Sequence, residues 1–255
     1  MSQQYLESIL SKYKIDEGTI QRLKNIRSEV EKKLRENYGG TIESIRYSGS
    51  YAKSTAISLS YDLDICIYFK KDSFNNLSEM YFDVGKFLNN TFRQYRPRQQ
   101  RVSWGLTTLD GMSLDVVPAR SLGDSSGDAY IYSTETHSYI KTNLNTHKEY
   151  IRNSGVRPAI KLMKIWRDLH NVHYKSFALE LMTIKALERH KGDPLYNQFI
   201  LALEYAQNNG SSVHLIDPAN SNNDVSLAIP FQDQLSLVGA AYSSLMQKDL
   251  EDVIW

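Results

Sequence analysis

Two aspartates one residue apart, Asp62 and Asp64, lie inside the apolar run YDLDICIYF (61–69). In a strand this run alternates. Leu63, Ile65, Ile67 and Phe69 fall on one face, and Asp62, Asp64, Cys66 and Tyr68 on the other. Both carboxylates then point the same way, roughly 6–7 Å apart along the strand. Carboxylates that close repel unless a cation sits between them. Mg²⁺ suits such a pair, because it takes a few carboxylates and fills its shell with water and substrate phosphates. A third acid, Asp115 in SLDVVPA (113–119), alternates with Leu114 and Val116. If its strand neighbours the first, three carboxylates converge. That is enough for two metal ions about 3.5–4 Å apart, the arrangement used for phosphoryl and nucleotidyl transfer. The plainer alternative is a half-exposed edge strand with surface aspartates. The pairs Glu29/Glu31 and Asp249/Glu251 share the spacing. They lie in helical stretches, where i and i+2 diverge, and read as solvated faces.

Gly49-Ser50 precedes the short helical stretch YAKSTAI. Such a turn offers backbone N–H groups and a hydroxyl to a phosphate. It is also an ordinary way to pass from strand to helix.

The elements that must position these residues follow from periodicity. Residues 1–38 read as two helices, the second capped by Asp16 and stopped by Gly39-Gly40. Strands are expected over 41–47, 61–69, 101–108, 112–118 and 129–132, with a hairpin turn at Asp110-Gly111 and a helix over 77–95. Beyond about residue 136 the pattern is helical: 137–152, 156–171, 176–191, 194–207 and 232–253, with a turn-rich loop over 208–230. The expectation is an α+β fold in two domains. Residues 1–135 form N-terminal helices and a small mixed β-sheet flanked by helices, and 136–255 form a C-terminal helical bundle.

Composition bounds the rest. The 255 residues are 41% hydrophobic and 23% charged, as in a globular protein. Thirty basic against 29 acidic residues give a net charge of +1, so strong global attraction to nucleic acid is not indicated. Arg93, Arg96, Arg98 and Arg101 are a local basic run, read as a solvated helix end ahead of a polynucleotide contact. No apolar run approaches 18 residues, so no membrane insertion is expected. The polar N-terminus MSQQYLESILSKYKID lacks the apolar stretch of a signal peptide, and a cytoplasmic protein is the expectation. The single Cys66 excludes an intramolecular disulfide framework.

GSYAKSTAISLSYDLDICIYF together with SLDVVPA resembles the DNA polymerase β-type nucleotidyltransferase superfamily. Its pattern is Gly-Ser, a short helix, Asp-x-Asp on a strand, and a third Asp on a later strand. The matching positions are Gly49, Ser50, Asp62, Asp64 and Asp115. The chain has Ser54 where that superfamily often has Gly. RPAIKLMKIWRDLHNVHYKSFALELMTIKALE (157–188) and IDPANSNNDVS (216–226) are similar to the template-independent branch. That branch holds oligoadenylate synthases, the bacterial cGAS/DncV-like (CD-NTase) enzymes and archaeal CCA-adding enzymes.

The resemblance implies a nucleotidyltransferase fold and transfer of NMP or dNMP from a nucleoside triphosphate to a hydroxyl. It implies two Mg²⁺ ions, with Mn²⁺ as a substitute, held by Asp62, Asp64 and Asp115. It implies Gly49, Ser50, Lys161, Lys164 and Ser176 at the triphosphate and Phe177 at the base. The residues themselves leave other uses open: a solvated basic face for Lys161 and Lys164, a helix N-cap for Ser176, and core packing for Phe177 and Trp166.

The implied product is a cyclic or linear oligonucleotide in bacterial antiphage signalling, with a downstream effector protein as partner. The alternative is tailing of a polynucleotide end or of a protein hydroxyl, including self-primed DNA oligomer synthesis and toxin-type modification.

Overall fold

The computed structural model describes residues 2–255. Its elements, in chain order, are α1 (Ser2–Lys12), α2 (Glu17–Tyr38), β1 (Ile42–Tyr47), α3 (Gly49–Lys53), β2 (Asp62–Phe69), α4 (Leu77–Thr91), β3 (Arg98–Gln99), β4 (Trp104–Thr107), β5 (Ser113–Ser121), β6 (Ala129–Ser133), β7 (Ser138–Thr142), α5 (Leu144–Arg152), α6 (Arg157–Leu169), α7 (Ser176–Ala186), α8 (Leu195–Asn209), β8 (Ile216–Asp217), β9 (Asn220–Asp224) and α9 (Phe231–Leu245). They form two compact units. One comprises Asp16–Lys53 and Tyr61–His147; the other holds the N-terminal segment through Ile15, Ser54–Ser60 and Lys148–Trp255.

The first unit is built on a mixed sheet of order β1-β2-β5-β4-β3, with β6 joining β5 and β7 joining β6. β2 is central because both of its faces can be covered. Leu63, Ile65, Ile67 and Phe69 pack with Leu23, Val30 and Leu34 of α2 and with Met80, Val84 and Leu88 of α4. On the other face Cys66 and Tyr68 join Ala119, Ala129 and Ile131. Only the first turn of that second face is left open: Asp62 is exposed and Asp64 half-buried. Asp16 caps α2 by accepting from the Thr19 amide at 2.8 Å, as its spacing predicts. Asn76 caps α4 in the same way, through the Glu79 amide. β2 and β5 run parallel, and α4, β3 and β4 make the crossover that parallel pairing requires. The Asp110-Gly111 turn joins β4 to β5, with Gly111 at φ +83°.

The second unit is helical. Its core gathers Leu6 and Ile9 of α1 with Ile160, Met163 and Trp166 of α6, Leu179 and Met182 of α7, Phe199 and Leu203 of α8, and Leu237 and Ala241 of α9. Both chain ends belong to it: Tyr5 Oη donates to the Ile254 carbonyl at 2.8 Å and Tyr13 Oη to the Trp255 carbonyl at 2.7 Å. Trp166 is fully buried and donates through Nε1 to Ser244 Oγ, so it is core.

Three expectations need revision. The helix expected over 137–152 is a strand followed by a helix, because SYIKT pairs with AYIYS in a hairpin and Tyr139 meets the Tyr130 ring edge-on at 4.9 Å. The turn-rich loop over 208–230 contains the β8–β9 hairpin. α1 and 54–60 group with the later helices, so the units are not divided by one cut at 135/136, which would fall inside the β6–β7 hairpin.

Candidate active site

β2 and β5 are paired in parallel, with Asp64 opposite Asp115 and Asp62 opposite Ser113. Paired strands lie about 4.8 Å apart, and partners in a ladder share a face. Asp62, Asp64 and Asp115 are therefore on one face at the open end of two adjacent strands. The row continues outward. Asp115 stands opposite Gly105 on β4, which stands opposite Arg98 on β3.

Each acid has a distinct setting. Asp115 accepts from Gln100 Nε2 at 3.1 Å and, more weakly, from Ser103 Oγ at 3.5 Å. Ser103 Oγ also donates to Gln100 Oε1, and the Gln100 carbonyl accepts from Tyr81 Oη at 2.7 Å. Burial pushes the Asp115 carboxyl above its ordinary range, and the Asp62 charge adds to this; the Gln100 and Ser103 hydrogen bonds and the Arg98 charge oppose it. Asp64 is approached by the β1–α3 turn. The Ser48 amide donates to the Asp64 carbonyl at 2.8 Å. Gly49 has φ +58°, and a Cβ built there would lie 1.6 Å from Asp64 Oδ2. Only glycine satisfies both demands. Ser50 follows as the second residue of α3, half-buried.

Two further groups border the acids. Tyr61 Oη and Ser48 Oγ are buried with no hydrogen-bond partner. Burial, followed by Tyr51, Tyr47 and Asp64, pushes the Tyr61 hydroxyl up to about 12. Unused polar atoms beside a half-open carboxylate face suit a polar ligand better than an apolar one.

The donor set fits a hard divalent cation, being all carboxylate oxygen. Among the described residues, no three His, Cys, Asp or Glu side chains close into a finished metal cluster. Mg²⁺ does not require one, since one or two carboxylates plus water and substrate phosphates complete its shell.

The remaining expected site residues are in the helical unit. Lys161 is half-buried on α6, and its pKa is lowered by burial and then by Arg157 and Lys14. Lys14, Arg157 and Lys161 thus form a cationic cluster. Lys164 departs from the expectation of a phosphate contact. It is 1% exposed, its Nζ lies 3.8 Å from Glu180 Oε1, and it donates to the Thr55 carbonyl at 3.1 Å. One turn of helix therefore separates a partly open ammonium from a core one. Ser176 is the first residue of α7, and its Oγ accepts from Arg167 Nη1 at 2.8 Å; the N-cap is Lys175 instead. Phe177 is half-buried and packs against the helical core.

Gln100, Ser103, Arg98 and Tyr61 are missed by sequence reasoning. Arg98 stands out in the sequence only as part of a basic run. Its relation to Asp115 appears once the β3–β4–β5 register is known. No spacing signal marks Gln100 or Ser103.

A family model described as the Second Messenger Oligonucleotide or Dinucleotide Synthetase domain matches residues 1–154. A curated cyclic AMP-AMP-AMP synthase of Escherichia coli (strain MS 115-1) is 25% identical over 196 residues, covering 70% of this chain. The chain spans 60% of that relative's length. Among solved structures, the Bradyrhizobium diazoefficiens CD-NTase CdnG in complex with GTP superposes with a TM-score of 0.78 at 12% identity, covering 99% of this chain and 95% of that one. The E. coli MS115-1 CdnC:HORMA-deltaN complex gives 0.71 at 18% identity, covering 94% and 88%. These likenesses establish the CD-NTase nucleotidyltransferase fold. No helix among the described residues is long and apolar enough to cross a membrane. With more than half its length matched by the family model, the chain belongs to the second messenger oligonucleotide or dinucleotide synthetase family.

Proposed function

We propose that this chain is a cytoplasmic, Mg²⁺-dependent nucleotidyltransferase that joins nucleotides from nucleoside triphosphates into cyclic or linear oligonucleotides for antiphage signalling through an effector protein. The observation that carries the reading is the register of Asp64 against Asp115, with Asp62 two residues away and the Gly49 turn pressed onto Asp64. Family membership supports it. So do the relatives' names: one is a cyclic AMP-AMP-AMP synthase, and CdnC and CdnG were solved with ATP and GTP.

In the reaction, an acceptor hydroxyl oxygen forms a bond to the α-phosphorus while the bond from that phosphorus to the α–β bridging oxygen breaks, and pyrophosphate leaves. Asp62, Asp64 and Asp115 would hold two Mg²⁺ ions, which when bound supply charge neutralisation at the phosphates. Asp115 serves the acceptor side. As a carboxylate beside the attacking hydroxyl it would ligate the metal on that side and help lower the hydroxyl's pKa. Gln100 holds the other side of that carboxylate and fixes its orientation. The Gly49–Ser50 turn lends backbone N–H groups and a hydroxyl to the β- and γ-phosphates. Lys161 and Ser176 are assigned to the triphosphate and Phe177 to the base by the family resemblance; Lys164 is left out because it is buried in an ion pair. Positioning and charge neutralisation supply most of the rate.

The test is incubation with each labelled NTP and dNTP plus Mg²⁺, followed by product sizing with and without phosphatase and protease. Small phosphatase-resistant products are expected, and Asp62→Ala should abolish them. Label lost on protease treatment would move the assignment to a protein acceptor. Activity retained in Asp62→Ala would remove the site.

A further inference from the structure

A cavity in the sheet unit lies away from the carboxylates. It measures about 410 Å³, within the size range of small-molecule sites, and is formed by the loop after β2 and the end of β5. Arg120 faces it and pairs in register with Phe69 on β2 and with Tyr130 on β6. Arg120 is thus on the face of the sheet opposite Asp64. Phe69 is five strand steps along β2 from Asp64, roughly 17 Å at the strand repeat.

Arg120 as a residue is half-buried, and among the described residues its guanidinium has no carboxylate partner and donates to no protein acceptor. A guanidinium carries five N–H donors in a planar fork, and here they are open to a ligand's acceptors. Lys71 lines the same cavity and is likewise unpaired. Asn75 adds a neutral donor, and Ser121 also lines the cavity. The wall is aromatic, from Phe74 and Tyr130. The acid in the lining is Asp72, which is exposed. Two cations against one carboxylate leave a net positive pocket with a flat apolar side.

We propose that this cavity binds a small phosphate monoester carrying a planar ring, of mononucleotide size, with the phosphate on Arg120 and Lys71 and the ring against Phe74 and Tyr130. The fork of Arg120 matches two phosphate oxygens, and Lys71 adds a point charge. Occupancy would tie the loop after β2 to the end of β5, the two strands that carry the three aspartates at their other ends. This site does not depend on the proposed nucleotidyl transfer.

The experiment reads binding without turnover. Adenosine monophosphate is titrated into the ¹⁵N-labelled full chain without divalent cation, and amide shifts are followed by NMR. Saturable shifts are expected at 71–75 and 120–122. Arg120→Ala should weaken the apparent affinity read there about tenfold or more, and Lys71→Ala about threefold. Inorganic phosphate should move the same amides at higher concentration, and adenosine should leave them unmoved. Shifts confined to 49–53 and 62–64 would overturn the proposal. So would shifts at 71–75 that both variants leave unchanged, or adenosine acting as well as its monophosphate. Should Arg120→Ala fail to fold, Lys71→Ala and Arg120→Lys carry the test.

Discussion

At the start of β2 and β5, carboxylates stand half-open on a sheet face, opposite one another in register. In the helical unit, the Lys164 ammonium and the Glu180 carboxylate meet at 3.8 Å with 1% and 0% of their side chains exposed. The first group is like-charged and left accessible, an arrangement that repels itself and has value only when a cation or substrate arrives. The second is oppositely charged and sealed, completed by Thr55, whose hydroxyl donates to Glu180 and whose carbonyl accepts from Lys164. An accessible set of like charges is built for a ligand, whereas a sealed set of opposite charges is built into the fold.

Neutralising one member of each set separates the two. Asp64→Asn removes a carboxylate from the accessible set with little change in volume. Nucleotide incorporation should fall by about a thousandfold or more, since metal and phosphate stabilisation is worth several kcal/mol. Far-UV circular dichroism should be unchanged. Lys164→Ala should do the reverse. It leaves Glu180 buried without its cation and should cost about 3–5 kcal/mol of stability, read as a lowered urea midpoint. At temperatures where the variant stays folded, its KM for nucleotide should match the parent. Lys161→Ala, three residues earlier, should raise KM and leave the urea midpoint in place. If Lys164→Ala instead raised KM without loss of stability, the contrast between the two lysines would fail.

A tighter probe of the open set is Gly49→Ala. The added methyl would have to occupy the position of an Asp64 carboxylate oxygen, at a backbone angle that disfavours side chains. The backbone cost is about 1–2 kcal/mol. The displaced carboxylate should reduce turnover by about a hundredfold or more, equivalent to about 2.7 kcal/mol. An activity loss no larger than the stability loss would show that the turn does not position Asp64.

The Asp115 carboxyl offers a pH test. Its folded pKa is raised, so between the unfolded and folded values the native state holds more protons than the unfolded one. Stability contributed by this group therefore falls as pH rises through the folded pKa. On the proposed mechanism activity runs the other way, because the form that serves the acceptor is the carboxylate. Gln100→Leu removes a hydrogen bond that favours that form. The acid limb of the kcat profile should move to higher pH, with Lys161→Ala as a control that leaves it in place. An unmoved limb would mean that another group sets it.

The sequence carries the accessible set better than the sealed one, for a physical reason. A strand has period two, so Asp62 and Asp64 declare a shared face, and Leu63, Ile65, Ile67 and Phe69 declare the covered one. Strand adjacency is not in the spacing, and the parallel pairing of β2 with β5 appears only in the structure. Helical spacing is less informative about burial. Lys161 and Lys164 are 60° apart around the axis, as any i,i+3 pair is, and on a helix as enclosed as α6 that rotation is enough to pass from rim to core. The partners that decide the matter, Thr55 and Glu180, are 109 and 16 positions away from Lys164. Gln100 and Ser103 were invisible for the same reason, since their contact with Asp115 depends on the register of short edge strands. The strand at 138–142 carries no strand signal of its own because SYIKT is too short to set a period by itself, and its pairing partner AYIYS supplies what it lacks.

The smallest effect concerns Ser54, where the superfamily pattern often has glycine. The backbone explains that preference: Ser54 sits at φ +61°, in the left-handed region that costs a side chain about 1 kcal/mol. Ser54 Oγ accepts from Arg152 Nη2 at 3.3 Å, a long contact on an exposed side chain that offsets little of this. Glycine would also widen the unfolded ensemble, which subtracts from the gain. Ser54→Gly should therefore stabilise by about 0.5 kcal/mol, or about 1–2 °C in Tm for a chain of this length. Arg152→Ala should leave Tm within about 0.5 °C, because it removes the contact and not the strain. Should Ser54→Gly lower Tm while Arg152→Ala lowers it equally, the hydroxyl contact would outweigh the backbone strain, and the departure from glycine would be a gain in stability.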